Sequence, residues 1–304
     1  MTVIADIRVR VCCLAALIVM AVLPGLCLAK DEAVGVLLSR EIAPYVAMVE
    51  GLESRLGSLP VQRFFLDDQG QPYSLGDRGA TLSPSQYAVL VAVGPEALRY
   101  LLPRVGTVPL VYGMVLSPEN IVGPGDRIPC GVSLNIPVKA QFSSIRQHFP
   151  TVARLGVLFD PDNNRAWFDD AATVAAGMGM QLIPLRVNRQ SAKLDIIGDF
   201  SVLDGILFIP DKTIISKAVI QHVIKQAALH RIPVIGYNQF FYDSGAALNF
   251  IIDYRLVGQQ VAAQIQQLIA GERCHGTLAP NFAARANDDA LRALGLKPPA
   301  GVER

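Results

Sequence analysis

The sequence predicts an α/β protein with two lobes, each built on a parallel sheet, and a ligand cleft between the lobes. Short apolar runs bounded by turn residues alternate with segments of helical periodicity, which is the pattern of βα units. Two such series follow one another, and each begins with a Gly-Val-Leu run, within Val34–Leu38 and Leu155–Phe159. With 304 residues, the chain is long enough for two domains of about 100–200 residues each.

The N-terminus, ahead of the first series, predicts a secretory signal peptide over residues 1–29. Arg8 and Arg10 precede an uncharged apolar stretch, which Pro24-Gly25 interrupts. The small residues in Cys27-Leu28-Ala29 fit a cleavage site before Lys30. An uncleaved membrane anchor is the alternative, but the interruption shortens the usable helix below the ~20 apolar residues that a span needs. The predicted location of the mature chain is therefore the periplasm.

The first series alternates buried strands with helices. Strands are predicted at Ala33–Leu38, Gln62–Leu66, Tyr87–Val93 and Val108–Gly113. Apolar residues at helical spacing predict helices at Ile42–Leu56 and Ala97–Leu102. The polar, glycine-containing stretch Gln69–Ala80 predicts a loop.

A stretch rich in proline and glycine, Leu116–Pro129, marks the boundary between the series, and Cys130–Leu134 is predicted to be a strand that leaves the first lobe. The strands predicted in the second series are Leu155–Phe159, Gln181–Leu185, Gly205–Ile209, Ile232–Tyr237 and Ala246–Ile252. The helices predicted around them are Val138–Phe149, Ala166–Met178, Ile214–His230 and Tyr254–Gly271. Successive βα units imply right-handed crossovers and parallel sheets, which bind ligands outside the carboxyl ends of their strands.

The charge balance and the motifs narrow the class of function. Lys plus Arg total 27 and Asp plus Glu 26, a net charge of +1 without a basic run, so we expect no nucleic-acid binding. The sequence contains no H-E-x-x-H, G-x-S-x-G, Walker A or G-x-G-x-x-G motif. Its histidines lack the spacing of metal ligands. We therefore expect a protein that is not an enzyme and that has neither a metal site nor a cofactor.

Removal of the signal peptide would leave two cysteines, Cys130 and Cys274. An exported chain could oxidise them, but they lie far apart and their spacing does not reveal pairing. Free, partly buried thiols are the favoured interpretation, and a disulfide is the alternative.

Polar and aromatic residues follow the predicted strands at the edge where such sheets bind ligands. Free backbone N–H groups at the helices that begin there would attract an anionic group. The predicted ligand-binding residues are Ser39, Glu41, Gly94, Pro95, Tyr112, Asp160, Asn163, Asp211, Lys212, Thr213, Tyr237, Asn238 and Asp253. For Ser39, Asp160, Asn163 and Thr213, each taken alone, a helix N-cap is the favoured interpretation, and the ligand-binding role depends on all of them lying at the same edge of their sheets. The aromatic residues have the alternative of serving as lids over a core. Trp167 lies inside a predicted helix and is expected to serve packing or the surface.

Several stretches, read together, resemble the exported substrate-binding proteins of ABC transporters, in the group that includes tryptophan- and tyrosine-type binding proteins. The matching stretches, in family order, are Val89–Ala97, Val108–Tyr112, Gly131–Ser133, Leu155–Pro161, Asp204–Asp211, Ile232–Val234, Gly245–Leu248, Ile252–Tyr254 with Gly258, and Ala293–Leu296. The resemblance implies a periplasmic binding protein type 1 fold, with two Rossmann-like lobes joined by a hinge of three crossovers. It implies residues 30–132 and 254–280 for the first lobe, and 133–253 and 281–304 for the second.

The resemblance also implies a role without catalysis, in which a monomer captures a ligand and presents it to an ABC permease in the inner membrane. The first loop, Ser39–Tyr45, and Lys212 depart from the family's usual residues, so the predicted ligand is a small polar solute, with amino-acid-like ligands included. The alternative is a periplasmic sensor or accessory protein of the same fold that signals to a separate membrane partner. A periplasmic enzyme is a third hypothesis, supported only by Cys130 and the acidic loops.

Overall fold

The computed structural model describes residues 33–75, 81–123, 128–187, 199–213 and 216–296. The predicted signal peptide at residues 1–29 lies outside these ranges, and so do parts of the stretches Gln69–Ala80, Leu116–Pro129 and Ile214–His230. Within the described ranges, no helix has the length and apolar character needed to cross a membrane. The predicted two-lobed α/β architecture is confirmed, because the strands form two separate, mostly parallel sheets.

The first sheet has seven strands. They are β1 (Val34–Leu38), β2 (Val61–Leu66), β3 (Pro72–Tyr73), β4 (Val89–Val93), β5 (Leu110–Val115), β6 (Cys130–Ser133) and, from the end of the chain, the twelfth strand, β12 (Thr277–Leu278). Their order across the sheet is β12-β6-β5-β4-β1-β2-β3, and among them β3 runs antiparallel to its neighbour.

The second sheet has six strands. They are β7 (Arg154–Phe159), β8 (Gln181–Arg186), β9 (Gly205–Phe208), β10 (Val234–Gly236), β11 (Leu248–Ile252) and β13 (Phe282–Ala286). Their order is β13-β11-β10-β9-β7-β8, with β13 antiparallel to β11. The chain crosses between the two sheets after β6, after β11 and after β12.

Helices cover both faces of each sheet in the described part of the chain. They are α1 (Ala43–Leu56), α2 (Pro95–Leu101), α3 (Val138–His148), α4 (Pro161–Gly177), α5 (Lys217–Leu229), α6 (Gln239–Asp243), α7 (Tyr254–Ile269) and α8 (Asp288–Ala293). On the first sheet, α1 and α7 pack on one face and α2 on the other. Every residue of β1, β4 and β5 is consequently buried, which is why these strands are unbroken apolar runs.

The structure corrects several predicted elements. Helix α4 begins at Pro161 instead of Ala166, because Asp160 accepts the backbone N–H of Asp162 and caps the helix. Helix α6 was not predicted, since its five residues are too few to show a helical period. Strand β13 and helix α8 were also missed. Both lie after the third crossing between the sheets, where the βα alternation has ended.

Cys130 and Cys274 form a disulfide, so the expectation of free thiols was wrong. Their Cα atoms lie 6.2 Å apart, within the usual range for a disulfide. The bridge joins the start of β6 to the segment between α7 and β12. Strands β6 and β12 are neighbours in the first sheet. Spacing could not reveal this pairing, because the fold brings together two residues separated by 144 positions.

An ion pair fastens the start of β7 to the start of β9. Asp204 accepts hydrogen bonds from the Arg154 guanidinium at 2.8 Å and from the backbone N–H groups of Arg154 and Ala153. The side-chain bond to Arg154 is the main cause that lowers the pKa of Asp204, and the backbone bonds lower it further. The ionised carboxylate is therefore favoured more in the folded chain than in the unfolded chain.

Asp204→Asn is expected to lower the melting temperature at pH 7 by a few degrees at most, because the pair is partly exposed. A lowered pKa stabilises the fold above the ordinary Asp value of 3.8, and this contribution is lost as the pH falls below that value. The difference in melting temperature between wild type and variant should therefore shrink from pH 6 to pH 3. A constant difference across this range would show that the charge of Asp204 does not contribute.

Candidate functional site

A cavity of about 420 Å³ lies where the strand ends of the second sheet meet the segments that cross between the sheets. It receives residues from the loops after β5 and β6, from the first turns of α3, α4 and α7, and from the ends of β9, β10 and β11. The lining residues are Leu116, Ser117, Leu134, Asn135, Ile136, Pro137, Val138, Gln141, Asn164, Trp167, Phe208, Ile209, Pro210, Tyr237, Asn238, Phe250, Ile252 and Tyr254. This is the edge of the sheet at which the sequence predicted a ligand site.

The cavity lining combines aromatic and amide side chains, and none of its residues in the described ranges carries a charge. Trp167 and Tyr254 approach it from helices, and Tyr237 from the end of β10. Burial raises the pKa of Tyr254, and burial together with the negative charge of Asp211 raises the pKa of Tyr237. Both phenols are therefore neutral near pH 7. Such a surface suits a ligand with a flat apolar part and a few polar groups.

Behind the cavity, two buried carboxylates connect the loops that follow β7 and β9. Asp160 and Asp211 are 4% and 5% exposed. Asp211 accepts the backbone N–H groups of Asp160 and Thr213, each at 2.8 Å. Asp160 in turn accepts the Thr213 hydroxyl at 2.6 Å and the Asn163 side-chain amide at 3.2 Å. These bonds hold the two loops in a fixed position beside the cavity.

Asn164 connects this cluster to the cavity. Its φ of −129° and ψ of 18° depart from helical values inside the first turns of α4. Its Nδ2 donates to Asp211 at 2.7 Å and approaches the backbone carbonyl of Pro210 at 3.4 Å. A carboxylate accepts hydrogen bonds and does not donate them, so the nitrogen of the Asn164 amide, and not its oxygen, points to Asp211.

Other amides of the lining are also held at one end. Asn238 caps α6, with its Oδ1 accepting a backbone N–H of the first turn at 3.3 Å. Asn135 Oδ1 accepts the backbone N–H of Ser117 at 3.2 Å. Gln141 Nε2 donates to the backbone carbonyl of Ile136 at 2.8 Å. In each case the bonded atom determines which atom of the amide remains for a ligand.

The predicted site residues of the second sheet fall into three groups. Tyr237 and Asn238 line the cavity. Four others form the hydrogen-bonded cluster behind it, namely Asp160, Asn163, Asp211 and Thr213. The side chain of Lys212 is exposed beside that cluster. Asp253 is also exposed and caps α7 by accepting two backbone N–H groups.

The predicted site residues of the first sheet lie at the ends of β1 and β4 and are not part of the lining. Ser39 Oγ accepts the backbone N–H of Ala97 at 2.9 Å, so it caps α2 across the sheet edge. Gly94 precedes α2 with a φ of 91°, and a Cβ there would lie 2.6 Å from Ser39 Oγ. Pro95 begins α2, and Glu41 is exposed.

Tyr112 is placed in the interior of the first lobe and not at the cavity. Its side chain is fully buried, and its hydroxyl donates to Thr277 Oγ1 on β12 at 2.8 Å. The reason is its register on β5, where it pairs with Ala92 of β4 and packs with the core under α2.

Sequence reasoning missed a second set of cavity residues: Asn135, Gln141, Asn164, Trp167 and Tyr254. Trp167 was expected to serve packing or the surface, and it does pack on the core of the second lobe while it also lines the cavity. The signal that could have found it is its position two turns after Asp160, on a helix that starts at the predicted ligand-binding edge.

Comparison with known proteins agrees with this architecture. Residues 80–287 match the family model described as ABC transporter substrate binding protein. No curated protein sequence matches the chain.

Solved structures with low sequence identity share the fold. A conserved domain protein from Vibrio cholerae is 21% identical, with a TM-score of 0.59 over 89% of this chain and 97% of that one. An ABC domain from Streptococcus pneumoniae in complex with L-Trp is 18% identical, with a TM-score of 0.59 over 90% and 97%. The ligand-free, open form of a substrate-binding protein with adhesive properties from Clostridium difficile is 15% identical, with a TM-score of 0.70 over 89% and 97%.

The structural likeness establishes the fold, and the family match covers more than half of the 304 residues. The chain therefore belongs to the ABC transporter substrate-binding protein family.

Proposed function

We propose that this protein is the exported solute-binding component of an ABC-type uptake system and captures a small polar ligand in the cavity between its lobes. The observation that carries the proposal is the cavity itself, which lies at the strand ends and combines aromatic faces with amides of fixed orientation. The family match supports the class of protein. On this proposal the mature chain is a periplasmic monomer that delivers its ligand to an inner-membrane permease and carries out no catalysis.

Capture requires the two lobes to approach each other around the crossing segments. We assign residues 30–132 with 254–280 to one lobe, and 133–253 with 281–304 to the other. The loops at Ser39 and Gly94–Pro95 end strands of the first sheet and would then close over the ligand, whereas Tyr237 and Asn238 bind it from the second sheet. The cluster around Asp160 and Asp211 keeps the second surface rigid during this movement.

The ligand is proposed to be small and polar, with amino-acid-like solutes among the candidates. Trp167 is partly exposed in the cavity and lies on the same lining as Tyr237. Such faces stack on rings, and one structural neighbour holds L-Trp. Amino acids, their amides, nucleosides and other small heterocycles are therefore the compounds to screen first.

The protein's single tryptophan provides the test, because Trp167 lines the cavity. A bound ligand is expected to change its fluorescence saturably and to raise the melting temperature, since ligand binding to the folded state stabilises it. Trp167→Ala has no tryptophan, so its affinity is read from the shift in melting temperature; it should be weaker by about tenfold, the usual size of one lost aromatic contact.

Tyr100→Ala serves as the control for that variant, because Tyr100 lies on α2 and is not part of the lining. It should leave the affinity unchanged. The proposal fails if no compound of the screen binds the full exported chain, or if both variants bind the ligand as the wild type does.

A further inference from the structure

The charge of the cavity lining restricts the class of ligand. The carboxylates of Asp160 and Asp211 lie just behind the cavity, but they accept hydrogen bonds within their own cluster and are not part of the lining. A zwitterion that entered would lose the hydration of its ammonium and carboxylate groups without meeting a charged side chain among the described lining residues. The lining therefore favours a ligand that carries no formal charge.

The amides of the lining present a defined pattern of donors and acceptors. Asn164 and Gln141 each use their nitrogen within the protein, which leaves an acceptor oxygen for the ligand. Asn238 uses its oxygen within the protein, and this leaves its Nδ2 as a donor. Asn135 also uses its oxygen, and its Nδ2 makes one long contact, of 3.5 Å, with the Ser117 hydroxyl. A matching ligand must both donate and accept hydrogen bonds.

Asn164, in the first turns of α4, and Asn238, after β10, approach the cavity from two loops of the second sheet. Asn164 is bonded to Pro210 and Asp211, which follow β9, and Asn238 follows β10. Strands β9 and β10 pair with each other, so their ends are separated by about 5 Å. An acceptor and a donor that line the same cavity are complementary to a carboxamide or lactam, which presents an N–H and a carbonyl on one edge.

We infer, building on the proposed function, that the cavity binds an uncharged ligand that has a flat ring and a carboxamide or lactam edge. Asn164 Oδ1 accepts the N–H of that edge, Asn238 Nδ2 donates to its carbonyl, and the ring lies against Trp167. Asp211 is a positioning residue. It binds Asn164 Nδ2, turns the amide oxygen towards the cavity, and thereby sets the preference for an amide over an acid.

One feature of the fold favours the opposite preference. The first turn of α3 begins at Val138 in the lining, and free backbone N–H groups at a helix start attract carboxylates. Matched pairs of amide and acid therefore decide the question. Suitable probes are indole-3-acetamide with indole-3-acetate and nicotinamide with nicotinate, and L-tryptophan is the zwitterionic reference.

The test measures the affinity of the full exported chain for each probe by calorimetry at pH 7. The wild type is expected to bind at least one amide about tenfold or more tightly than its matched acid, since the acid loses one hydrogen bond and faces the oxygen of Asn164. Asn238→Asp keeps the oxygen that caps α6 but replaces the donor with a second oxygen. It should weaken amide binding by about tenfold to a hundredfold.

Asp211→Asn tests the positioning role. Its side chain has one acceptor oxygen instead of two and gains an NH2 group, so the side-chain amide of Asn164 becomes able to turn over. The ratio of amide to acid affinity should fall by about tenfold, a change that a merely structural role of Asp211 would not produce. Asn281→Asp makes the same chemical change as Asn238→Asp at an exposed asparagine outside the lining, and it should alter neither affinity.

Each result separates this inference from the proposed function. If acids or L-tryptophan bind more tightly than the amides, or if Asn238→Asp leaves amide binding unchanged, the inference is overturned while ligand capture stands. If neither these probes nor any compound of the wider screen binds, both are overturned.

Discussion

Replacing Gly258 by alanine is expected to lower the free energy of unfolding by about 3 kcal/mol or more. Gly258 lies on α7 against α1, so close that an added Cβ would overlap the backbone oxygen of Met48 and lie 2.7 Å from the backbone nitrogen of Leu52. Gly51 of α1 is packed as closely against the backbone of Arg255. Because the obstacles are backbone atoms, no rotamer change relieves the overlap, and the two helices must separate.

The measurement is urea unfolding of the full chain, followed by circular dichroism. Gly177→Ala is the matched control, since Gly177 ends α4 and nothing lies within 4 Å of a Cβ built there. The control should be neutral or stabilise by up to about 1 kcal/mol, the ordinary gain of alanine over glycine in a helix. A Gly258→Ala protein as stable as this control would contradict the close packing of α1 on α7.

The contact between these two helices also explains how the chain returns to the first lobe. Helix α7 follows the second sheet in sequence but packs on the first sheet with α1. Its apolar residues at helical spacing were visible in the sequence, whereas its partner was not. The assignment of α7 to the first lobe came from the resemblance to a known family, and Gly258, which belongs to one of the matching blocks, is one of the two glycines that permit the close approach.

The strands of the sheets could be predicted because burial on both faces leaves a local signature. Strands β1 and β4 are unbroken apolar runs, and their predicted positions agree with the structure to within two residues. Elements without such a signature were missed. Helix α6 is too short to show a period, and β13 lies at the sheet edge, where its residues are at most half-buried.

The sheet edge that lines the cavity could be predicted, but not the arrangement of its residues, because one asparagine can cap a helix with one atom of its amide and line a cavity with the other. The sequence predicted Asn238 only as a ligand-binding residue. Asn238 fills the cap with one atom of its amide and leaves the other for the cavity. For Asn164 the orientation depends on Asp211, which lies 47 positions away, so no local pattern could reveal it.

Breaking the disulfide between Cys130 and Cys274 is expected to lower the free energy of unfolding by about 3–5 kcal/mol. The bridge joins residues 144 positions apart, and by chain entropy alone a loop of that size would contribute about 5 kcal/mol. It also holds the segment before β12 against β6, and this segment leads the chain from the first sheet to β13 of the second. Its loss should therefore loosen the edge of the first sheet.

The test compares urea unfolding of the oxidised chain with that of the Cys130→Ser/Cys274→Ser variant, each with and without a reducing agent. Reductant should lower the midpoint of the wild type to that of the variant and should leave the variant unchanged, which separates the effect of the bridge from any other effect of the reagent. A count of free thiols in the denatured, unreduced chain prepared without residues 1–29, which contain three further cysteines, should give none if Cys130 and Cys274 are paired. A wild type with free thiols and no response to reductant would instead restore the sequence-based expectation of two unpaired cysteines.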